Sequence, residues 1–339
     1  MADINFLIDK IALERGIGKS DFSITPLPKS GSHRRYFRLT ENNGNTYIIC
    51  QSDDITENRT FIKLDKYLES RGIPVPEILS VSPSDDEYFL SDLGNVDLLS
   101  LIEQFHRSTL EEEREAIGRI VKKTIENLVE MQRLPENEWD NIVGFPPLNS
   151  DLVRYDFQYA IVKLTRPLGV KYDEIRLNND LEKLESDLLR CPASLWGLMY
   201  RDFQSRNIMV KNDIPYFIDF QSCRKGPGIY DLVSFAWQAK AKFTTEERNR
   251  LIDLYSSYLS KYCPNARKDV RENLPYWVMF RIIQTLGAYG LRGLKEGKKH
   301  FIDSIPLALA NLKETMLRYG FTEKYPELYL LVEKMRTFF

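Results

Sequence analysis

The sequence predicts an α+β fold in which a small antiparallel sheet precedes a larger helical region. Short segments with strand character dominate roughly the first 93 residues. From residue 94 onward, apolar residues recur mainly at helical spacing. The chain has 339 residues, and at roughly 150 residues per domain this length corresponds to about two domains. We therefore expect an N-terminal domain over residues 1–93 and a helical C-terminal domain over residues 94–339.

The N-terminal domain is predicted to open with a helix over residues 3–18. A β-hairpin follows, because Asn43-Gly44 forms a turn between two apolar, β-prone stretches. A helix predicted over residues 60–71 ends at Gly72 and interrupts the sheet. The strands of this sheet are predicted at residues 35–40, 46–50, 78–81 and 87–90.

The C-terminal domain is predicted to be helical, with one interruption. Its helices are predicted at residues 110–133, 151–166, 178–190, 231–241, 245–262, 269–296 and 303–317. A strand-rich segment from Leu198 to Asp219 separates the third of these helices from the fourth. The polar residues within that segment make it the most informative part of the chain.

Composition and charge exclude several classes of function. Hydrophobic residues make up 43% of the chain, and 47 basic residues oppose 49 acidic ones for a net charge of −2. A chain so close to neutral is not built to bind nucleic acid in bulk. No apolar run reaches the roughly 18 residues that a membrane span requires. Acidic residues at Asp3 and Asp9 argue against a signal peptide, so we expect a cytoplasmic protein with no membrane partner.

The cysteines and histidines offer little for catalysis or metal binding. The four cysteines form no C-x-x-C pair, and a cytoplasmic location predicts that they are reduced and mostly buried. The three histidines lie far apart in sequence. A histidine-based metal site or a histidine-dependent triad is therefore not expected.

Three oxygen-bearing side chains are predicted to meet in the strand-rich segment. Asp202 and Asn207 lie in a polar loop, and residues 208–210 and 216–218 are predicted to pair as a hairpin around a turn. That hairpin returns Asp219 to the neighbourhood of Asn207. A set with no thiolate or imidazole suits Mg²⁺, which takes oxygen ligands and borrows phosphate oxygens from a nucleotide.

The order of these motifs resembles the catalytic and metal-binding loops of the aminoglycoside phosphotransferase and choline kinase-like family. Within it, the chain is most similar to the bacterial anomeric kinases of cell-wall recycling, which phosphorylate the C1 hydroxyl of N-acetylmuramate or N-acetylglucosamine. The likeness runs from about residue 27 to about residue 310. Its motifs are Ser32–Arg38, Ser91–Gly94, Arg201–Asn207, Ile218–Gln221, Gly226–Ser234 and Gln284–Gly287.

The resemblance implies a two-lobed protein-kinase-like fold, with ATP and Mg²⁺ as cofactors and a small-molecule acceptor. Asp202 would be the base that accepts the hydroxyl proton, and Asn207 and Asp219 would hold Mg²⁺. The adenine would meet the hinge at residues 90–93, through Leu90, Ser91 and Asp92. Tyr200, which stands where the family usually has histidine, and Asp231 would brace the catalytic loop.

One departure concerns the lysine that kinases usually carry on the third strand, where it pairs with the ATP phosphates and a helix glutamate. Cys50 occupies that position here. Arg34 or Arg35 is predicted to bind the nucleotide in its place, and Arg38 is a third candidate for the same charge. The helix glutamate could be Glu57 or Glu69.

The acceptor is expected to lie on the helical part of the second lobe, near Gln204, Gln284 and Tyr155. Gln204 either orients the substrate or satisfies the loop backbone. Aminoglycosides, choline and other amino alcohols are alternative acceptors; such cations would favour a cluster of acids drawn from Asp151, Asp156, Asp173 and Glu174. A second alternative is a degenerate kinase that binds nucleotide without turnover.

Overall fold

The structure, a computed structural model, describes residues 9–10, 21–28 and 34–339. Within this part of the chain an antiparallel sheet comes first and helices form most of the remainder, which confirms the predicted α+β class. The helix predicted over residues 3–18 lies almost wholly outside the described residues.

The described strands form one five-stranded sheet and two short pairs. They are β1 (Phe22–Pro26), β2 (Arg35–Glu41), β3 (Thr46–Gln51), β4 (Ile78–Val81), β5 (Glu87–Ser91), β6 (Trp196–Met199), β7 (Ile208–Lys211), β8 (Ile214–Phe217) and β9 (Arg224–Pro227). The large sheet has the order β1-β2-β3-β5-β4, and all of its neighbouring pairs are antiparallel. β2 and β3 form the predicted hairpin. β6 pairs with β9, and β7 pairs with β8.

Every helix predicted from residue 60 onward is present within the described residues, but the helices at Leu98–Arg107, Glu136–Trp139, Lys299–Ile302, Phe321–Lys324 and Pro326–Arg336 were not predicted. The α-helices in this part of the chain are α1 (Ile55–Ser70), α2 (Leu98–Arg107), α3 (Glu111–Gln132), α4 (Glu136–Trp139), α5 (Ser150–Ala160), α6 (Glu174–Leu189), α7 (Ile229–Ala236), α8 (Thr245–Leu259), α9 (Ala266–Tyr289), α10 (Lys299–Ile302), α11 (Ile305–Arg318), α12 (Phe321–Lys324) and α13 (Pro326–Arg336). π-helical turns at Ile161–Thr165 and Gly290–Lys295 extend α5 and α9.

Two helix boundaries differ from the prediction for local reasons. α1 starts at Ile55 instead of residue 60, because the Asp54 carboxylate accepts a hydrogen bond from the Glu57 N–H (2.9 Å) and caps the helix. The helix predicted over residues 231–241 was wrong in its second half, since α7 ends at Ala236. A short 3₁₀ turn at Ala239–Ala241 follows it, and Lys242 then takes a positive φ of 50°.

The large sheet has two distinct faces because side chains alternate along each strand. On one face Leu39, Ile49 and Phe89 form a buried apolar cluster. On the other face lie Tyr36, Cys50 and Tyr88, which are consecutive partners across β2, β3 and β5. This second row carries hydroxyl and thiol groups and bears directly on the candidate site.

Two compact units divide the chain. The first unit comprises Met1–Phe145 and Arg206–Cys223, and the second comprises Pro146–Ser205 and Arg224–Phe339. The β7–β8 hairpin is tied into the first unit by backbone hydrogen bonds, from the Val210 N–H to the Val96 carbonyl and from the Phe217 N–H to the Pro74 carbonyl (2.8 Å each). The predicted domain boundary at residue 93 stays a prediction.

In the second unit, two glycines let α9 approach α5 and its π-helical extension closely. A Cβ on Gly287 would lie 3.0 Å from the Ala160 backbone nitrogen, and one on Gly290 would lie 2.3 Å from the Lys163 carbonyl oxygen. Backbone atoms cannot move aside as a flexible side chain can. The close packing places the side chains of α9 beside those of α5.

All four cysteines are buried and free of disulfides, as predicted. No helix in the described ranges is both long and apolar enough to cross a membrane.

Asp65 of α1 is a buried carboxyl group without compensation. It is fully buried, and neither carboxylate oxygen has a hydrogen-bond partner among the residues described. Burial, followed by the neighbouring Glu69, raises the pKa of Asp65 from 3.8 to about 8. The folded protein therefore keeps this carboxyl protonated at pH values where the unfolded chain releases the proton.

We expect this group to make the fold less stable as the pH rises. Its contribution is fully present below about pH 4, the unfolded pKa, and is lost progressively toward the folded pKa of about 8. The slope should reach about 1.4 kcal/mol per pH unit. Asp65→Asn should flatten this slope in urea unfolding measured from pH 5 to 8, whereas Asp53→Asn, at an exposed position before the same helix, should keep it. An unchanged slope in Asp65→Asn would remove the carboxyl as its source.

Candidate active site

Asn207 and Asp219 meet at the open end of the β7–β8 hairpin, as the sequence predicts. Asn207 directly precedes β7, and the Ile218 N–H donates to the Asn207 carbonyl (3.1 Å). The Asn207 side-chain amide then lies 3.5 Å from a carboxylate oxygen of Asp219. Both residues belong to the first unit, so the hairpin builds this pair from local structure.

The chemistry of this pair fits Mg²⁺. Asp219 has a positive φ of 67°, and its second carboxylate oxygen accepts a hydrogen bond from the Gln221 amide (2.9 Å). No group of three or more His, Cys, Asp or Glu side chains in the described part of the chain is placed to hold a metal. A site with one carboxylate and one amide oxygen suits an ion that draws its other ligands from water and phosphate.

Arg34 lies in the first unit beside the polar face of the large sheet. It is 3% exposed, and its guanidinium lies 3.4 Å from a carboxylate oxygen of Glu57 on α1 and 5.6 Å from the Phe61 ring centroid. Its Nε has no hydrogen-bond partner among the described residues. Of the two glutamates that the sequence left open, Glu57 is therefore the one paired with an arginine.

Tyr36 connects this arginine to the proposed metal pair. Burial, and next the Cys50 thiol, raise the pKa of Tyr36, while Arg34 lowers it and Asp219 raises it. The Tyr36 hydroxyl therefore interacts electrostatically with both the Arg34 guanidinium and the Asp219 carboxylate. A cation, an acid and an amide thus occupy one region of the first unit.

The other two candidate arginines are placed differently. Arg35 is exposed at the start of β2, opposite Gln51. Arg38 makes a two-point contact with the Asp92 carboxylate (2.6 and 3.1 Å) and also donates to the Gly94 carbonyl. The Arg38 guanidinium therefore holds the segment after β5. Of the three candidate arginines, Arg34 is the one that is buried and not engaged in this way.

The predicted hinge residues are held by the same unit. The Ser91 N–H donates to the Glu77 carbonyl (2.9 Å), and the Asp92 carbonyl accepts from the Lys211 ammonium group (2.8 Å). Leu90 is buried opposite Ile48. The contact of these residues with adenine stays a prediction.

Asp231 holds the backbone of the loop that leads into Asp202, in the second unit. It lies in the first turn of α7 and is fully buried. Its two carboxylate oxygens accept hydrogen bonds from the backbone N–H groups of Tyr200 and Arg201, each at 2.9 Å. Tyr200 is buried against Phe203, with their ring centroids 5.2 Å apart. This geometry holds the two residues immediately before Asp202, and their role in a catalytic loop stays a prediction.

Tyr230, the residue before Asp231 on the same helix, lies beside a cluster of charged side chains. Arg201 forms an ion pair with Asp156 of α5 (2.7 Å), and Arg281 of α9 donates to the Tyr230 hydroxyl (2.8 Å). The Asp202 carboxylate interacts electrostatically with Arg201, Arg224 and Tyr230, all in the second unit. We call Arg201, Arg224 and Arg281 with Tyr230 and Asp156 the arginine cluster.

The predicted acceptor residues are only partly drawn together. Gln284 accepts a hydrogen bond from Arg281 and so borders the arginine cluster. Tyr155 is 62% exposed and stacks on Tyr159. Gln204 is half-buried, and the backbone of the next residue, Ser205, is held by the Gln238 side chain instead.

The four acids considered for a cationic acceptor do not form one cluster. Asp156 is paired with Arg201, and Asp173 caps the start of α6 by accepting from the Arg176 N–H. Asp151 and Glu174 are exposed. The charged side chains that interact with Asp202 are instead the arginines Arg201 and Arg224.

Sequence reasoning missed Arg224 and Arg281. Arg281 lies within the apolar stripe of α9, between Phe280 and Ile283. A charged side chain inside such a stripe was the available signal, because an arginine is rarely buried without a specific partner. Gln284 lies one turn away on the same helix, but Tyr230 comes from a segment 51 positions earlier, which the pattern alone could not name.

The family comparison assigns most of the chain to one family. A model described as "phosphotransferase enzyme family" matches residues 23–267. An N-acetylmuramate/N-acetylglucosamine kinase of Neisseria meningitidis is 26% identical over 327 residues, which cover 92% of this chain and 91% of the relative. A protein of the same name from Pseudomonas aeruginosa is 21% identical over 87% of this chain and 84% of its own.

Solved structures show the fold. An ethanolamine kinase of Plasmodium vivax matches with a TM-score of 0.61 at 16% identity, covering 88% of this chain and 85% of its own. An ADP-bound aminoglycoside phosphotransferase matches with a TM-score of 0.59 at 14% identity, covering 92% and 99%. These likenesses confirm the two-lobed kinase-like fold that the sequence motifs imply.

Removing the Asp231 carboxylate should weaken both the fold and the activity. Asp231→Ala leaves two buried N–H groups without an acceptor, at a cost of about 1–3 kcal/mol each. Asp231→Asn keeps one acceptor oxygen and should lose less. Thermal unfolding and turnover measured in parallel check this prediction. The control Asp253→Ala, at an exposed position on α8, should match the wild type, and equal stability of all variants would show that the brace contributes nothing.

Proposed function

The chain belongs to the phosphotransferase enzyme family, and we propose that it transfers the γ-phosphoryl group of ATP to the anomeric C1 hydroxyl of an N-acetylated amino sugar. The names of the relatives from Neisseria and Pseudomonas, which match over 84% or more of each chain, support such an acceptor. The ADP-bound aminoglycoside phosphotransferase supports an adenine nucleotide as donor.

The observation that carries the proposal is the pairing of Asn207 with Asp219 in the same unit as Arg34. The Asn207 amide nitrogen lies 3.5 Å from a carboxylate oxygen of Asp219, and Tyr36 interacts electrostatically with both Asp219 and Arg34. Asn207 and Asp219 would hold Mg²⁺, which when bound neutralises phosphate charge and orients the phosphoryl group. Arg34 would add a fixed positive charge for the phosphates.

Asp202 would act as the base. In the proposed reaction the C1 hydroxyl oxygen forms a bond to the γ-phosphorus, the bond from that phosphorus to the β–γ bridging oxygen breaks, and ADP leaves. Asp202 accepts the hydroxyl proton. An anomeric hydroxyl is more acidic than an ordinary alcohol, so a carboxylate is an adequate base for it.

The Arg34–Glu57 pair would replace the usual lysine–glutamate pair of kinases. Burial lowers the pKa of Arg34, but interactions with Tyr88, Tyr36 and further neighbours outweigh it, so the pKa is raised and the charge is kept. Glu57 holds the guanidinium from one side. This arrangement supplies the charge whose absence at Cys50 had suggested a degenerate kinase, and it favours turnover.

The acceptor assignment is tested with free and blocked sugars. N-acetylglucosamine and N-acetylmuramate should be phosphorylated with ATP and Mg²⁺, and their 1-O-methyl glycosides should not, because the reacting hydroxyl is blocked. Phosphorus NMR should identify a sugar 1-phosphate. Equal activity on the glycosides would place the phosphate elsewhere on the ring, and turnover only with choline or an aminoglycoside would replace the sugar as acceptor.

Asp202→Asn provides the matched control for this assay. The amide is isosteric but cannot accept the proton, so turnover should fall about 10²–10⁴-fold with little change in thermal stability. Turnover near that of the wild type would remove Asp202 from the role of base.

Arg34 should dominate nucleotide use among the three candidate arginines. A charge-assisted contact contributes about 1.5–3 kcal/mol, so Arg34→Gln should lower kcat/KM for ATP about 10- to 100-fold. Glu57→Gln should give a smaller loss, because the arginine remains but is less firmly held. Steady-state kinetics at saturating acceptor measure this, with thermal unfolding as the folding check.

Arg35→Gln and Arg38→Gln serve as the comparison, since Arg35 is exposed and Arg38 is engaged by Asp92. A loss in either variant that equals or exceeds the loss in Arg34→Gln would move the phosphate contact away from Arg34.

A further inference from the structure

The arginine cluster of the second unit contains three buried arginines, two of which place their guanidinium groups beside one ring. Arg201, Arg224 and Arg281 are 7%, 8% and 4% exposed, and Tyr230 is fully buried. The central carbons of the Arg201 and Arg281 guanidinium groups lie 5.2 and 5.3 Å from the Tyr230 ring centroid. Two cations therefore share one aromatic ring inside the protein, where water cannot screen them.

The Arg281 guanidinium and the Nη1 of Arg201 have no carboxylate partner among the described residues. Arg281 donates to the Tyr230 hydroxyl and to the Gln284 amide oxygen, which are both neutral. Among the residues that the structure describes, no carboxylate forms an ion pair with Arg281. Arg201 is paired with Asp156 through Nη2, but its Nη1 is buried and has no hydrogen-bond partner in the same part of the chain.

A buried charge without compensation costs several kcal/mol, so clusters of this kind normally carry their counter-charges. Three carboxylates lie close to these arginines. Those of Asp156 and Asp202 interact electrostatically with Arg201 and Arg224, and that of Asp231 accepts the Arg201 N–H. Within the described ranges, the groups left without a counter-charge are therefore the Arg281 guanidinium and the Nη1 of Arg201.

We propose that the cluster binds a carboxylate of the acceptor, with Arg281 and the Nη1 of Arg201 as its donors, so that the enzyme selects an acidic amino sugar. The inference rests on the proposed function, because it places the acceptor beside Asp202. N-acetylmuramate carries a carboxylate on its lactyl ether, and N-acetylglucosamine does not. Two guanidinium groups can form hydrogen-bonded ion pairs with a carboxylate, which a neutral sugar cannot do.

The phosphoryl group in transfer is another anion that the arginine cluster could bind. Binding of the acceptor carboxylate and binding of the phosphoryl group predict different results. A contact with the acceptor carboxylate changes the preference between acidic and neutral sugars. A contact with the phosphoryl group changes the rate with every acceptor alike and leaves the preference unchanged.

The test compares N-acetylmuramate with its methyl ester, which is one methyl group larger and carries no charge. The measured quantity is the ratio of kcat/KM for the acid to that for the ester. The wild type should prefer the acid about 10- to 100-fold. In Arg281→Met the ratio should fall to near one, whatever the remaining rate. In Arg271→Met, an exposed arginine on the same helix α9, the ratio should stay that of the wild type.

Two results would overturn the inference while leaving the proposed function in place. A wild-type ratio near one, with both sugars phosphorylated, would show that the carboxylate is not recognised, and this measurement does not depend on any variant folding. A ratio that persists in Arg281→Met while both rates fall would assign the charge to the phosphoryl group or to the fold. By contrast, a wild type that phosphorylates no amino sugar at all would overturn the proposed function and the inference together.

Discussion

The loop that leads into Asp202 depends on one buried carboxylate, that of Asp231. Arg201 has a positive φ of 79°, a conformation that costs a non-glycine residue about 1–2 kcal/mol. Two hydrogen bonds from the Tyr200 and Arg201 N–H groups to Asp231 offset that cost. Because the chain turns there, the Arg201 side chain reaches Asp156 and Tyr230, and Asp202 follows in the chain immediately after the turn. The loop that carries the proposed base is thus held from its backbone.

The parts of the site that depend on neighbouring residues were predictable from the sequence. The β7–β8 hairpin needs only two apolar segments and a turn, and once it forms, Asn207 and Asp219 must lie close together. The start of α1 was also encoded locally, in Asp54 and Glu57, although the apolar pattern used to find the helix begins later. Short-range signals of this kind survive without tertiary information.

Contacts between distant segments were beyond such reasoning. The pairing of Arg34 with Glu57 depends on how β2 and α1 lie against each other, and three arginines and two glutamates were equally good candidates in the sequence. Arg281 comes from α9, while its partner Tyr230 lies 51 positions earlier in the chain. A pattern shows that a charge is unusual at a position, but only the fold shows which groups surround it.

The two units handle buried arginine charge in different ways, and the difference bears on what each binds. In the first unit Arg34 has a carboxylate neighbour in Glu57, and Cys50, whose pKa burial raises to about 11, stays neutral beside it. A phosphate group that binds Arg34 would therefore bind a guanidinium whose position Glu57 already fixes. This suits a nucleotide, because the same nucleotide is used whichever acceptor is bound. In the second unit Arg281 has only neutral partners in the described structure. A buried charge that the protein leaves uncompensated lowers the stability of the fold until a ligand neutralises it. The site therefore binds a ligand of opposite charge more tightly than a neutral one. In our proposal the side chains around Asp202, and not the fold, therefore set the charge of the acceptor.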